Sequence, residues 1–236
     1  MKNMRLVLLA GQSNMAGRGI PGEEDLQEIP GLYALNANYQ WVPAVEPVTF
    51  DKPHLAGVGC GRTFGRKLLE LDPSTPVGLI PAAVGGTAIK SWVRGAKDPN
   101  SPHYPYDEML KMVETARRSG EIVAVLWHQG CSDASAKNTN YAADLTAVIK
   151  NIRRDLDIEN VPFICGELGK FLTSTPYCFP PVEEAIRQVT ASLPNMALVS
   201  SEGLNDKGDK LHFDTASQHI FGERYFEAFC RLSGIK

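Results

Sequence analysis

Short apolar runs that stop at glycine-containing turns recur along the chain, and between them apolar positions fall at helical spacing. The first run, Leu6-Val7-Leu8-Leu9-Ala10, is unbroken and far too short to span a membrane. It predicts a buried central strand that turns at Gly11, where no Cβ restricts the backbone. Further runs over 77–84, 122–127, 161–165 and 196–200 predict four more strands. Apolar spacing predicts helices over 59–71, 106–119, 141–156, 181–193 and 217–232, with Gly120 as the stop of the second. A long Pro- and Gly-rich connection, 17–53, holds two short apolar stretches around Asn36-Ala37-Asn38, which read as a hairpin over 32–35 and 39–42. Strand and helix alternating in this way, with right-handed crossovers, predict an α/β fold: a three-layer α/β/α sandwich around a five-stranded parallel sheet. No internal repeat or linker interrupts residues 1–236, which read as a single domain.

Composition narrows the partners. A chain of 236 residues with 43% hydrophobic content can bury one sizeable core, and a formal net charge of -3 gives no reason to expect nucleic acid or an anionic membrane. Lys2 and Arg5 before the first apolar run faintly mimic a leader. The run passes straight into Gly-Gln-Ser-Asn without a cleavage signal, so the expected compartment is the cytoplasm. A chain already trimmed of a leader would read the same way. The five cysteines include no C-x-x-C pair and read as reduced, mostly core thiols.

The chemistry gathers at strand ends. Ser13 sits just past the carboxyl end of the first strand, where ligands bind in open α/β sheets. It reads either as a nucleophile or as a turn serine capping the next helix. The turns Gly11-Gln12-Ser13, Gly85-Gly86-Thr87 and His128-Gln129-Gly130 share that sheet edge. Asp209-Lys210-Leu211-His212 returns to it after the fifth strand. A serine needs an adjacent base, and a histidine base needs a carboxylate to fix its tautomer. Taken alone, D-x-x-H also suits the start of a surface helix. Residues 17–22 match G-x-G-x-x-G but lie past the strand end, contain Pro21 and open no clear helix, so no dinucleotide is expected. His54, His103 and His219 show no ligand spacing; neither a metal nor another cofactor is expected.

Together, Gly11-Gln12-Ser13-Asn14-Met15-Ala16-Gly17, Gly85-Gly86, Trp127-His128-Gln129-Gly130 and Asp209-Lys210-Leu211-His212 resemble the SGNH/GDSL hydrolase superfamily. The resemblance is to its sialate O-acetylesterase and acetylxylan esterase-like branch, the sixth carbohydrate esterase family, and it extends to Trp41–Pro47 and Gly57-Val58-Gly59. It implies a flavodoxin-like SGNH hydrolase fold and a serine esterase that removes O-acetyl groups from a small acetylated sugar or oligosaccharide. By position, Ser13 is the implied nucleophile, His212 the base and acid, and Asp209 its orienting carboxylate. The implied oxyanion donors are the Ser13 N–H, the Gly86 N–H and the Gln129 side-chain amide. Members of the branch usually carry an acid after Gln-Gly. This chain has Cys131, which leaves Asp209 alone to assist His212 and reads as inert packing.

Weaker candidates for binding sugar are Gln12, Trp92, Arg94 and His128. Trp92 reads equally as packing under its loop, and His128 as a satisfied strand-end histidine. Tyr104, Tyr106 and Trp41 are candidates for an acyl or sugar subsite. The alternatives kept open are another small-ester hydrolase or acyl transferase with the same triad, and a non-catalytic carbohydrate-binding domain. The sugar, its acetylated hydroxyl and the oligomeric state are not legible in the sequence.

Overall fold

In the computed structural model, which describes residues 3–235, seven strands form one sheet. They are β1 (Met4–Gly11), β2 (Leu32–Leu35), β3 (Trp41–Pro43), β4 (Val77–Pro81), β5 (Gly120–His128), β6 (Phe163–Gly166) and β7 (Met196–Val199). Their spatial order is β3-β2-β4-β1-β5-β6-β7, with β1 at the centre. All neighbouring pairs are parallel except β2 with β3. The five expected strands are present, and the expected hairpin adds two more. Its first strand pairs in parallel with β4, so the hairpin extends the sheet instead of standing apart. Lys2, part of the leader-like stretch, lies outside the described residues.

Strand alternation sorts β1 onto two cores. Leu6, Leu8 and Ala10 pack with helices α3 (Pro105–Ala116), α5 (Tyr141–Leu156) and α6 (Pro180–Ser192), while Val7 and Leu9 face α2 (Cys60–Leu71) and α7 (Thr215–Ser233). Period-2 strands between two sets of amphipathic helices give the three layers. The helices begin and end where local chemistry allows. Pro105 opens α3, and the Asp214 carboxylate caps α7 by accepting the Ser217 N–H at 2.7 Å.

One boundary differs from expectation. Helix α3 ends at Ala116, and Gly120 is the first residue of β5 instead of a helix stop. A Cβ at Gly120 would lie 1.9 Å from the Met4 carbonyl oxygen, so the glycine serves a close approach to the central strand. The 17–22 glycines likewise open no phosphate-binding helix. Gly19 pairs with Val58 in an isolated bridge, and only a turn of 3-10 helix, Glu23–Leu26, follows.

Candidate active site

Strand β1 ends in a glycine for a steric reason. Gly11 has φ +128°, and a Cβ there would lie 2.2 Å from the His128 carbonyl oxygen. The chain then turns through Gln12 into the single-turn helix α1 (Ser13–Ala16), which puts Ser13 at the carboxyl edge of the sheet. Asn14 explains how a segment almost two hundred residues away meets it. Its side chain donates to the Leu211 carbonyl at 3.1 Å and accepts the Phe213 N–H at 3.1 Å, bracketing the loop that carries His212. That loop is a capped turn, not a helix start. Asp206 accepts the Gly208 and Lys210 N–H groups, and α7 begins only at Thr215.

The bracket sets a relay. His212 Nε2 lies 3.0 Å from Ser13 Oγ, and Nδ1 lies 2.7 Å from Asp209 Oδ2. The other Asp209 oxygen accepts the backbone N–H groups of Leu211 and His212 at 3.0 and 2.8 Å. Burial works to raise the Asp209 carboxyl, but the hydrogen bonds from His212 and Leu211 outweigh it and hold the group below the usual carboxylate range. An ionised Asp209 only accepts, so the His212 proton sits on Nδ1 and Nε2 is left to accept from the serine hydroxyl. Burial is also the largest influence on His212. It pushes the imidazole below its ordinary value against the opposing pull of Asp209, with Arg18 and Lys207 adding to the depression.

The relay lies in a pocket of about 290 Å³ whose wall includes Gln12, Ser13, Gly86, Ser132, Tyr177 and His212. The Gly85-Gly86 turn facing Ser13 is tied on most sides. Asp51 accepts the Gly85 N–H at 2.8 Å, and Ser132 Oγ donates to the Gly86 carbonyl at 3.0 Å. Gln129 donates to the Thr87 carbonyl at 3.0 Å, and Thr87 Oγ1 donates to the Val84 carbonyl at 2.9 Å. Neither the Ser13 nor the Gly86 N–H has an acceptor among the described residues.

The two glutamines spend their amides differently. Gln129 is buried, and its amide nitrogen donates to Thr87 O and, at 2.7 Å, to Asp133 Oδ2, while its oxygen accepts from Tyr141 Oη at 2.6 Å. Both amide hydrogens are spent inside the protein, so the expectation that Gln129 supplies an oxyanion donor is corrected. Gln12 is buried too, but its Oε1 accepts the Gly130 N–H at 3.0 Å and the Ser132 N–H at 3.5 Å. Among the described residues Nε2 has no partner, nor is it one of the enclosed unpaired atoms, and Gln12 lines the pocket.

The other sugar-binding candidates lie elsewhere. Trp92 is fully buried, donates to Thr87 Oγ1 at 3.1 Å and packs edge-on against Trp127; it is no sugar platform. Arg94 reaches Asp155 at 3.1 Å, away from the pocket. His128 is fully buried, donates from Nε2 to the Glu167 carbonyl at 2.9 Å, and is pushed down to about 4 by burial. It is a neutral structural histidine. Trp41 reaches Ser119, Tyr106 reaches Asp155, and Tyr104 precedes α3; none lines the pocket.

Cys131 borders the pocket but is almost wholly buried, and burial pushes its thiol up to about 12, so thiolate is not available near neutral pH. Asp133, two residues on, gives its carboxylate to Ile89 N, Gln129 and Asn138, not to His212. Among the described residues no group of three or more His, Cys, Asp or Glu side chains is arranged to hold a metal ion, and no helix is long and apolar enough to cross a membrane.

Sequence reasoning missed Arg18, Lys52, Leu55, Ser132, Tyr177, Lys207 and Leu211 in the wall. Two of these, Arg18 and Lys52, belong to the long connection after Ser13, which Glu46 fastens by accepting the Val48 and Gly59 N–H groups.

Residues 3–231 match the family described as carbohydrate esterase, sialic acid-specific acetylesterase. A probable carbohydrate esterase from Arabidopsis thaliana is 34% identical, over 96% of this chain and 92% of its own. An Arabidopsis thaliana crystal structure superposes with a TM-score of 0.83 at 31% identity, covering 96% of this chain and 98% of that one. Two more distant structures share the fold. NanS has a TM-score of 0.77 at 17% identity, over 99% of this chain and 98% of its own. A carbohydrate acetylesterase from Xanthomonas citri has 0.74 at 18% identity, over 98% of this chain and 57% of its own.

Proposed function

The chain belongs to the sialic acid-specific acetylesterase family of carbohydrate esterases, and from that premise we propose that it removes O-acetyl groups by a Ser13–His212–Asp209 mechanism through an acyl-enzyme. The observation that carries this reading is the unbroken relay at 3.0 and 2.7 Å, opening on a pocket with unused N–H donors. Ser13 Oγ attacks the acetyl carbonyl while His212 Nε2 takes its proton. The Ser13 N–H, the Gly86 N–H and the Gln12 amide receive the developing oxyanion. His212 then protonates the departing sugar hydroxyl, and a water activated by the same imidazole releases acetate.

The depressed His212 gives the pH dependence its sign. The base must be neutral in the free enzyme, and a lowered pKa keeps it neutral into mildly acidic solution. The acid limb of kcat/KM is therefore expected to have its midpoint below 6.5, the ordinary histidine value. A midpoint above 7 in the measured pH profile would count against His212 as the base.

Charge at the mouth supports an acidic sugar as substrate. Lys52 lines the pocket without a carboxylate partner among the described residues, and Lys207 lies beside Asp209 at 3.6 Å. The direct test is acetate release from an O-acetylated sialic acid and from an O-acetylated neutral sugar. The acidic substrate should be preferred, and Lys52→Gln should raise its KM roughly tenfold, as the loss of one charge-assisted hydrogen bond implies. Equal KM values in native and variant chains would remove Lys52 from substrate recognition.

A further inference from the structure

We propose that Asp51 is a positioning residue of this reaction: through its buried pair with Arg18 it holds the Gly85-Gly86 turn where the Gly86 N–H meets the substrate's carbonyl oxygen. This inference rests on the esterase reading above.

The geometry is specific. Asp51 Oδ2 accepts both the Gly85 N–H at 2.8 Å and Arg18 Nη2 at 2.7 Å, and the two side chains are each 3% exposed. Arg18 Nη1 also donates to the Gly17 carbonyl at 2.6 Å, just beyond α1 and Ser13. A Cβ at Gly85 would lie 2.5 Å from Arg18 Nη2 and 3.5 Å from Ser13 Cβ, so the turn is seated directly on the pair and beside the nucleophile. One ion pair thus joins the segment that carries the attacking oxygen to the segment that carries an oxyanion donor.

Stability alone is a poor reason to keep such a pair. Taking both charges out of water is costly, and well-packed apolar side chains of similar volume often serve a fold as well. Geometry is a better reason, because a misplacement of about 1 Å at a reacting centre can cost on the order of 10²-fold in rate. The Ser132 and Gln129 ties to this turn hold its carbonyls. Asp51 holds an N–H, and it does so from the long connection after Ser13. Asp51 does not line the pocket, so it acts through Gly85 and not on the substrate.

The test compares Asp51→Ala and Asp51→Asn with the native chain, using p-nitrophenyl acetate and a methyl trifluoromethyl ketone. Ser13 Oγ bonds to the ketone carbon, the carbonyl electron pair becomes an oxyanion facing the same donors, and the serine proton passes to His212. Asp51→Ala should lower kcat on the order of 10²-fold with KM within about threefold. Ketone inhibition should weaken by a similar factor while inhibition by acetate stays as in the native enzyme. Asp51→Asn keeps an oxygen for the Gly85 N–H and Arg18 Nη2 but removes the charge and sets an amide nitrogen where Oδ1 lies 3.4 Å from Arg18 Nη1. It should recover most of the loss, remaining about 5- to 10-fold below native kcat.

Native kcat in Asp51→Ala, a loss confined to KM, or unchanged ketone inhibition would each overturn the proposal. Should the alanine chain fail to fold, Asp51→Asn decides by the same measurements: a matched intermediate loss of kcat and ketone affinity supports it, and native values overturn it. A native chain inactive on p-nitrophenyl acetate and on every acetylated sugar would instead defeat the esterase reading itself.

Discussion

Ser13→Ala is expected to lower kcat on acetyl esters by roughly 10⁶-fold, and His212→Ala by a comparable factor. The two side chains form one device. Among the described residues only the imidazole is hydrogen-bonded to the Ser13 hydroxyl to take its proton, and without the hydroxyl the imidazole has nothing to activate. The double variant should therefore be little worse than either single one. Residual turnover in all three would come from pocket binding and the oxyanion donors, which the substitutions leave in place. Steady-state kinetics on one acetylated substrate, with circular dichroism to check the fold, decides the matter. Losses that multiply in the double variant would mean that Ser13 and His212 act independently.

The second large effect separates the two glutamines. Gln12→Ala should lower kcat on the order of 10²–10³-fold with little change in KM, as removal of one oxyanion donor does. Its Oε1 also holds the Gly130 N–H, so Gln12→Glu gives a sharper comparison. The carboxylate keeps the acceptor for Gly130 but offers no donor to the oxyanion, and its charge opposes the one that develops. Both variants should be impaired, Gln12→Glu at least as much. Gln129→Ala should act differently, lowering the melting temperature because Asp133, Thr87 and Tyr141 all lose a buried partner. A Gln12→Ala enzyme with native kcat, measured beside a Gln129→Ala enzyme that is folded but slow, would restore Gln129 to the oxyanion site.

The glutamines also show where sequence reading stops. The central strand was legible because five consecutive apolar residues and a glycine are a local signal, and Ser13 follows from it by position alone. The alternating strands and helices were legible for the same reason, since each carries its own period. Which of two glutamines beside glycines faces a pocket depends on which backbone N–H or carboxylate the other end meets. Those partners, Gly130 and Asp133, are placed only by the tertiary fold. Trp92 misleads in the same way: an aromatic after a strand-end turn suits a platform or a plug, and Trp127 beneath it decides. Asp51 and Lys52 sit past the hairpin of the long connection, where no apolar period runs, so nothing nearby in sequence marks them as neighbours of Ser13.

The Asn14 bracket has a consequence for when the protein becomes chemically competent. The proposed nucleophile and base, Ser13 and His212, are 199 residues apart, and the contact that brings them together also needs the loop from 206 to 213. Closing so long a stretch carries a large entropic cost, which is met only once the intervening sheet and helices have assembled. During synthesis, Ser13 is made 199 residues before His212 and stays an ordinary alcohol without that partner until the loop from 206 to 213 has followed it. On the proposed mechanism, a partly made or partly opened protein holds no activated serine, and esterase turnover reports the joining of the β1 turn to the 206–213 loop.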